Sequence, residues 1–257
     1  MVKKLYKYEF FAWLRIMPIV YGILLFASIS FRLTNFFEDN RFFSLLYTSA
    51  FLIYFVSLAV CLVAPMVFGI TRFYRNLFTG EGYLTLTLPV APATHIWVKV
   101  LTASVFSTIS VIIVIVSGVI SGFLNTVLPL VGFSQFVDVY LDSIVFLFFF
   151  ELLPYLVVTC ISSHLLYCFC ICVGQMFRKN RILAAVGTYF ALQLALQILS
   201  TIGSILLMSA YDAGANISSA TASSSGSLWG ATIWSFLTGL FYYLVSHHII
   251  AKKLNLE

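Results

Sequence analysis

Charge is what this chain lacks most. Only 9% of its 257 residues are Asp, Glu, Lys or Arg, while 61% are hydrophobic. A soluble domain carries about 25% charged residues, so a water-facing globular surface is excluded. Cysteines are few as well. Cys61, Cys160, Cys168, Cys170 and Cys172 all fall inside apolar runs, which excludes a disulfide framework. The run "CFCIC" sets Cys168 and Cys172 one helical turn apart, but no His or carboxylate joins them at ligand spacing, so they read as small packing residues. No phosphate loop of the form GxxxxGK[ST], no HExxH and no GxSxG occurs. No apolar run carries paired carboxylates or a Lys–Asp pair of the kind an ion-coupled pump needs. No nucleophile and base are spaced as an enzyme would place them. The chain is therefore read as neither an enzyme nor a self-powered pump.

What is present is length without charge. Six apolar runs are readable, at Ile16–Thr34, Phe42–Ile70, Val100–Phe123, Ile144–Phe177, Ile182–Met208 and Trp229–Ile250. A bilayer needs about 20 apolar residues per helical span, whereas barrel strands show alternating stretches of roughly 10. The expected fold class is all-α integral membrane, one transmembrane domain over 1–257 with six helices. The runs longer than a bilayer must tilt, kink or project, and the fourth is expected to kink near Pro154. The opening stretch "MVKKLYKYEFFAWLRIM" leads into a span without a small-residue cleavage site, so no cleaved signal is expected. Residues 1–15 are expected to form an interfacial amphipathic helix, with Lys3, Lys4 and Lys7 at the headgroups.

Orientation follows from the basic residues. With the N-terminus inside, the inner segments hold Lys3, Lys4, Lys7, Arg15, Arg72, Arg75, Lys99, Arg178, Lys179, Arg181, Lys252 and Lys253, twelve of the fourteen; Arg32 and Arg41 remain outside. Both termini are expected to be cytoplasmic. The net charge of +5 then belongs to a membrane surface and implies no nucleic-acid partner.

Three further features stand out. Residues 209–227, rich in Ser, Ala and Gly, are expected to be a flexible outer loop. Gly118 and Gly122 form a small-xxx-small face that lets another helix approach, in this chain or a second copy. Glu151 is a carboxylate in an apolar run, hence a pathway candidate, although a span beginning near Leu152 would leave it at the outer boundary. His247 and His248 are expected at headgroup level.

The segment 78–99, "FTGEGYLTLTLPVAPATHIWVK", is polar and turn-rich between two greasy runs. Gly80 and Gly82 allow a tight turn, and Glu81 suits a helix start. Tyr83, Leu84 and Leu88 offer an apolar knob with a polar tip. Thr85 and Thr87 alternate with leucines as a strand would, but a lone strand at a membrane surface has no backbone partner, so a short helix is expected. Pro89 stops it. Lys99 is expected to snorkel to the headgroups.

The stretch "RFYRNLFTGEGYLTLTLPVAPATHIWVKVL", residues 72–101, resembles the cytoplasmic segment of type-2 ABC transporter permeases of the small bacterial exporter group. The match covers about thirty residues: Glu81, Gly82, Tyr83 and Leu84, then Leu88, Pro89 and Val90, then Lys99. The family's short re-entrant helices between the fifth and sixth spans are replaced here by the Ser-rich stretch. The resemblance implies a coupling helix that receives force from a separate ABC ATPase subunit, with Gly80, Glu81, Gly82, Tyr83, Leu84 and Leu88 at the contact. It implies a second permease chain, a bacterial plasma-membrane location, and ATP and Mg bound by the partner, with no cofactor or metal in this chain. The expected substrate is hydrophobic or amphipathic: a drug, a lipid or an antimicrobial peptide. The alternative is an ATP-independent channel or secondary carrier.

Overall fold

A computed structural model describes residues 2–34, 41–78, 92–123, 133–177, 180–212 and 220–252, with side chains defined over most of them. The architecture is all-helical: α1 (Val2–Thr34), α2 (Arg41–Phe78), α3 (Pro92–Ser121), α4 (Phe133–Gly174), α5 (Arg181–Asp212) and α6 (Ala220–Lys252). Each contains a stretch long and apolar enough to cross a membrane: Lys3–Thr34, Leu45–Phe78, Ala93–Ser121, Phe150–Gly174, Arg181–Gly203 and Leu228–Ile250. Six spans are what the apolar runs require. Helices are the natural outcome because hydrocarbon offers no water to satisfy backbone groups.

The helices are longer than the runs. The basic N-terminal stretch forms no element of its own; α1 runs unbroken from Val2 through Pro18. The reason lies in its side chains, since Glu9 and Trp13 are buried in the bundle. α4 likewise passes through Pro154 over 42 residues without ending. α5 and α6 reach into the Ser-rich stretch, to Asp212 and from Ala220, so that only 213–219 separate them. Serine and alanine tolerate a helix well enough for this extension.

Packing divides the six helices into two groups. In the first, α1, α2 and α3 enclose Trp13, Met17, Leu24, Tyr54, Cys61 and Phe106. Hydroxyls cross this group. Tyr21 donates to the Phe106 carbonyl at 3.0 Å and lies 3.0 Å from Ser110 Oγ; Tyr54 OH is 3.4 Å from both Ser117 Oγ and Ser121 Oγ. Such bonds hold helices together where the hydrophobic effect between them is weak. In the second group, α4 packs along α6 with α5 against α4. Ser162 donates to the Ser235 carbonyl at 2.8 Å, and Phe169 meets Tyr242 at 5.6 Å between ring centroids. α4 and α6 therefore run parallel, as alternate spans must. Cys168 and Cys172 are buried in this core.

Gly122 ends α3 in the left-handed region, φ 75°. A Cβ there would collide with the Arg32 guanidinium of α1. The small residue at this point thus serves packing within the chain.

Candidate functional site

Trp13, Met17, Tyr21 and Leu24 recur at helical spacing along the buried stripe of α1. Glu9 extends that stripe by one turn, so the fold drives a carboxylate into the interior. Arg72 of α2 meets it with two hydrogen bonds: Nε donates to Oε1 at 2.9 Å and Nη2 donates to Oε2 at 3.0 Å. Lys99 of α3 brings Nζ to 3.5 Å from Oε1. The side chains are 8% exposed for Glu9, 26% for Arg72 and 11% for Lys99. A paired fork of this kind is directional and strong, and a low-dielectric setting strengthens it further.

The surroundings are aromatic. Trp13 stacks on Phe106 and meets Phe68 edge-on, with centroids at 5.2 and 4.8 Å. The Arg72 guanidinium lies 5.6 Å from the Phe68 ring centre. Trp13 Nε1, one turn along α1 from Glu9, and His95 Nε2, one turn before Lys99, are buried without a hydrogen-bond partner among the described residues. Each such orphan costs about 1–3 kcal/mol.

The depth of the cluster can be gauged along the helices. Arg32 meets Gly122 at the far end of the bundle. From Glu9 to Arg32, and from Lys99 to Gly122, is 23 residues (32 − 9; 122 − 99), or about 35 Å at 1.5 Å per residue. The two charged levels thus bracket a hydrocarbon core of roughly 30 Å. Lys99 departs from expectation here. It does not snorkel to solvent but turns inward, because Glu9 supplies a counter-charge that headgroup water would otherwise replace.

Arg72 and Lys99 sit on the two stems of the 79–91 segment. Arg72 is six residues before the end of α2, and Lys99 seven after the start of α3. One carboxylate from a third helix therefore ties both stems together. The segment itself, with Gly80, Glu81, Gly82, Tyr83, Leu84 and Leu88, lies outside the described residues. Residues 92–99 of the expected cytoplasmic segment form the first turns of α3, opened by Pro92, whose missing N–H is no loss there.

Glu151 stands at the start of the Phe150–Gly174 span, at the end of the bundle opposite Glu9. Trp229 Nε1 donates to its Oε1 at 3.3 Å. The structure does not bring Glu151 to the ion cluster.

A further pair was not visible as such in the sequence. His164 of α4 places Nδ1 2.8 Å from the Cys160 carbonyl and Nε2 3.4 Å from Ser107 Oγ of α3. A hydroxyl and an imidazole thus converge. The adjoining cavity, bordered by Gly69, Lys99 and Tyr167, holds ≈ 20 Å³, about room for one water. No substrate fits there, so the pair serves as an interhelical tie.

Fold and composition define a multi-pass, all-α membrane protein. No protein-family model matches the chain, nor does any curated protein or solved structure. The resemblance of residues 72–101 to ABC permeases therefore rests on those residues alone.

Proposed function

We propose that this chain is the membrane-spanning permease subunit of an ATP-driven exporter in the bacterial plasma membrane. A separate ATPase subunit binds ATP and Mg and docks on residues 79–91 at the cytoplasmic side. The observation that carries the reading is the Glu9 clamp. A segment that receives force must have stems that cannot slide past each other, and Glu9 holds both stems to α1. Movement of the segment would then turn α1, α2 and α3 as one body against the α4–α6 group. The exported substrate is hydrophobic or amphipathic.

A second permease chain completes the assembly in this reading. α5 supports it. Among the described residues its substantial packing is against α4, and Gln193 and Gln197, one turn apart near the middle of its span, are exposed. Amides facing hydrocarbon are costly unless another helix or a polar pathway meets them.

The test is co-purification with a phosphate-loop ATPase and transport-coupled hydrolysis in proteoliposomes. Tyr83→Ala and Leu84→Ala should each weaken docking by about 2 kcal/mol, some thirtyfold, as truncation of an interface anchor does. Glu81→Gln, at the rim, should be milder. Undiminished docking and coupling in both alanine variants would sink the coupling role. Full transport with no ATPase present would favour a channel or secondary carrier instead.

A further inference from the structure

At the level just inside the Glu9 cluster, a cleft of ≈ 590 Å³ opens between α1 and α2, walled by those two helices alone. Arg15 of α1 faces Arg72 and Arg75 of α2 across it. Phe11, Ile16 and Phe68 supply its apolar wall. The volume falls within the roughly 300–1,000 Å³ of small-ligand sites.

The local charge does not cancel. Glu9 is shared between Arg72 and Lys99, so that cluster keeps one positive charge in excess. Arg15 adds another, with no carboxylate paired to it among the described residues. Arg72 spends Nε and Nη2 on Glu9, which leaves Nη1 over. A planar guanidinium matches phosphate oxygens in a way an ammonium does not.

The cleft also has the right depth. Arg15 lies six residues further into α1 than Glu9, about 9 Å. Side chains on a helix lean toward its N-terminus, so Arg15 reaches back toward the headgroup level. Lys7, Phe11 and Arg15 follow one another at four-residue spacing on one face, and Lys7 Nζ sits 5.9 Å from the Phe11 ring centre. Beyond the cleft, Ile16, Ile19 and Ile23 continue one turn at a time and are all exposed. A basic pocket opening onto an apolar track is the form in which interhelical sites hold lipid headgroups.

We propose that this cleft is a binding site for one anionic phospholipid. Its phosphate sits among Arg15, Arg72 and Arg75, and an acyl chain lies along Ile16, Ile19 and Ile23. The site depends on the membrane-spanning arrangement alone and is indifferent to what powers transport.

The experiment uses the full chain, purified and delipidated in a neutral detergent. Phosphatidylglycerol, phosphatidylcholine and inorganic phosphate are each titrated, with bound lipid read by native mass spectrometry and stability by thermal unfolding. Phosphatidylglycerol should bind at one saturable site and raise the midpoint, and phosphatidylcholine should do neither. Arg15→Gln combined with Arg75→Gln should weaken phosphatidylglycerol binding at least tenfold. Arg72 is left intact so that the Glu9 cluster survives, and Arg15→Lys, which keeps the charge, should fall between parent and double variant. Equal binding of the two lipids by the parent protein overturns the proposal whatever the variants do. So does unchanged binding in a folded double variant. Equal stabilisation by inorganic phosphate alone would make this a free-anion site and overturn the lipid assignment.

Discussion

Glu9 and Glu151 are the two carboxylates among the described side chains, and they lie at opposite ends of the bundle. Glu9 is buried, receives both donors of a guanidinium fork and has a second cation 3.5 Å away. Glu151 is half-buried and accepts one indole bond at 3.3 Å. By sequence their standing is reversed. Glu151 sits in a long apolar run and draws attention as an intramembrane acid, whereas Glu9 sits among lysines in a stretch that looks interfacial. An acid gains importance from what faces it across the bundle, and linear position hides that. Glu9 faces the two residues that anchor the stems of the most unusual segment in the chain. Glu151 faces the edge of α6.

This contrast can be broken most directly at Glu9. Glu9→Gln should leave two cations without a counter-charge in a largely buried site. The expected loss is about 3 kcal/mol or more, a fall in the unfolding midpoint of roughly 6–12 °C for a chain of this size. Adding Lys99→Met should recover part of the loss, because one of the stranded charges goes with it. Thermal unfolding in detergent of the parent, the single and the double variant reads both effects. A Glu9→Gln protein as stable as the parent would remove the clamp from the account.

Lys99 sharpens the comparison at intermediate scale. A snorkelling lysine would accept arginine without consequence. A lysine turned inward beside a cavity of ≈ 20 Å³ will not. Lys99→Arg should cost about 1–2 kcal/mol through overpacking against Phe73 and Cys168 and through loss of the close approach to Glu9. A silent substitution would return Lys99 to the headgroups.

The smallest effect belongs to Glu151. Glu151→Gln keeps a carbonyl oxygen for Trp229 Nε1, so stability should change by no more than about 0.5 kcal/mol. Transport should change modestly. Complete loss of transport by a normally folded variant would give Glu151 a mechanistic role and erase the asymmetry between the two acids.

Much of the architecture is already in the composition. With 9% charge and six runs of span length, this chain has no soluble alternative, and hydrocarbon leaves it no backbone solution but helices or a closed barrel. The clustering of lysine and arginine at one set of helix ends is also legible, and the structure gathers Lys7, Arg15, Arg72, Arg75 and Lys99 at one end of the bundle. Helix ends were less legible. α1 absorbs the basic stretch, and α5 and α6 absorb most of the Ser-rich one, because tertiary burial and backbone continuity extend helices past the point where hydropathy falls.

Sequence by itself determined that the chain crosses a membrane six times, since that follows from a one-dimensional property, the length of each apolar run. It also marked residues 78–99 as foreign to their surroundings. Only the tertiary structure decided which charges meet. Glu9, Arg72 and Lys99 are separated by 63 and 27 residues (72 − 9; 99 − 72), and nothing local links them. The one hint was an acid at the helical spacing of Trp13, Met17 and Tyr21. That spacing says that Glu9 points inward, but not what it finds there. Pairing at such separation depends on the rotation and relative height of three packed helices, which no local pattern in any one of them encodes.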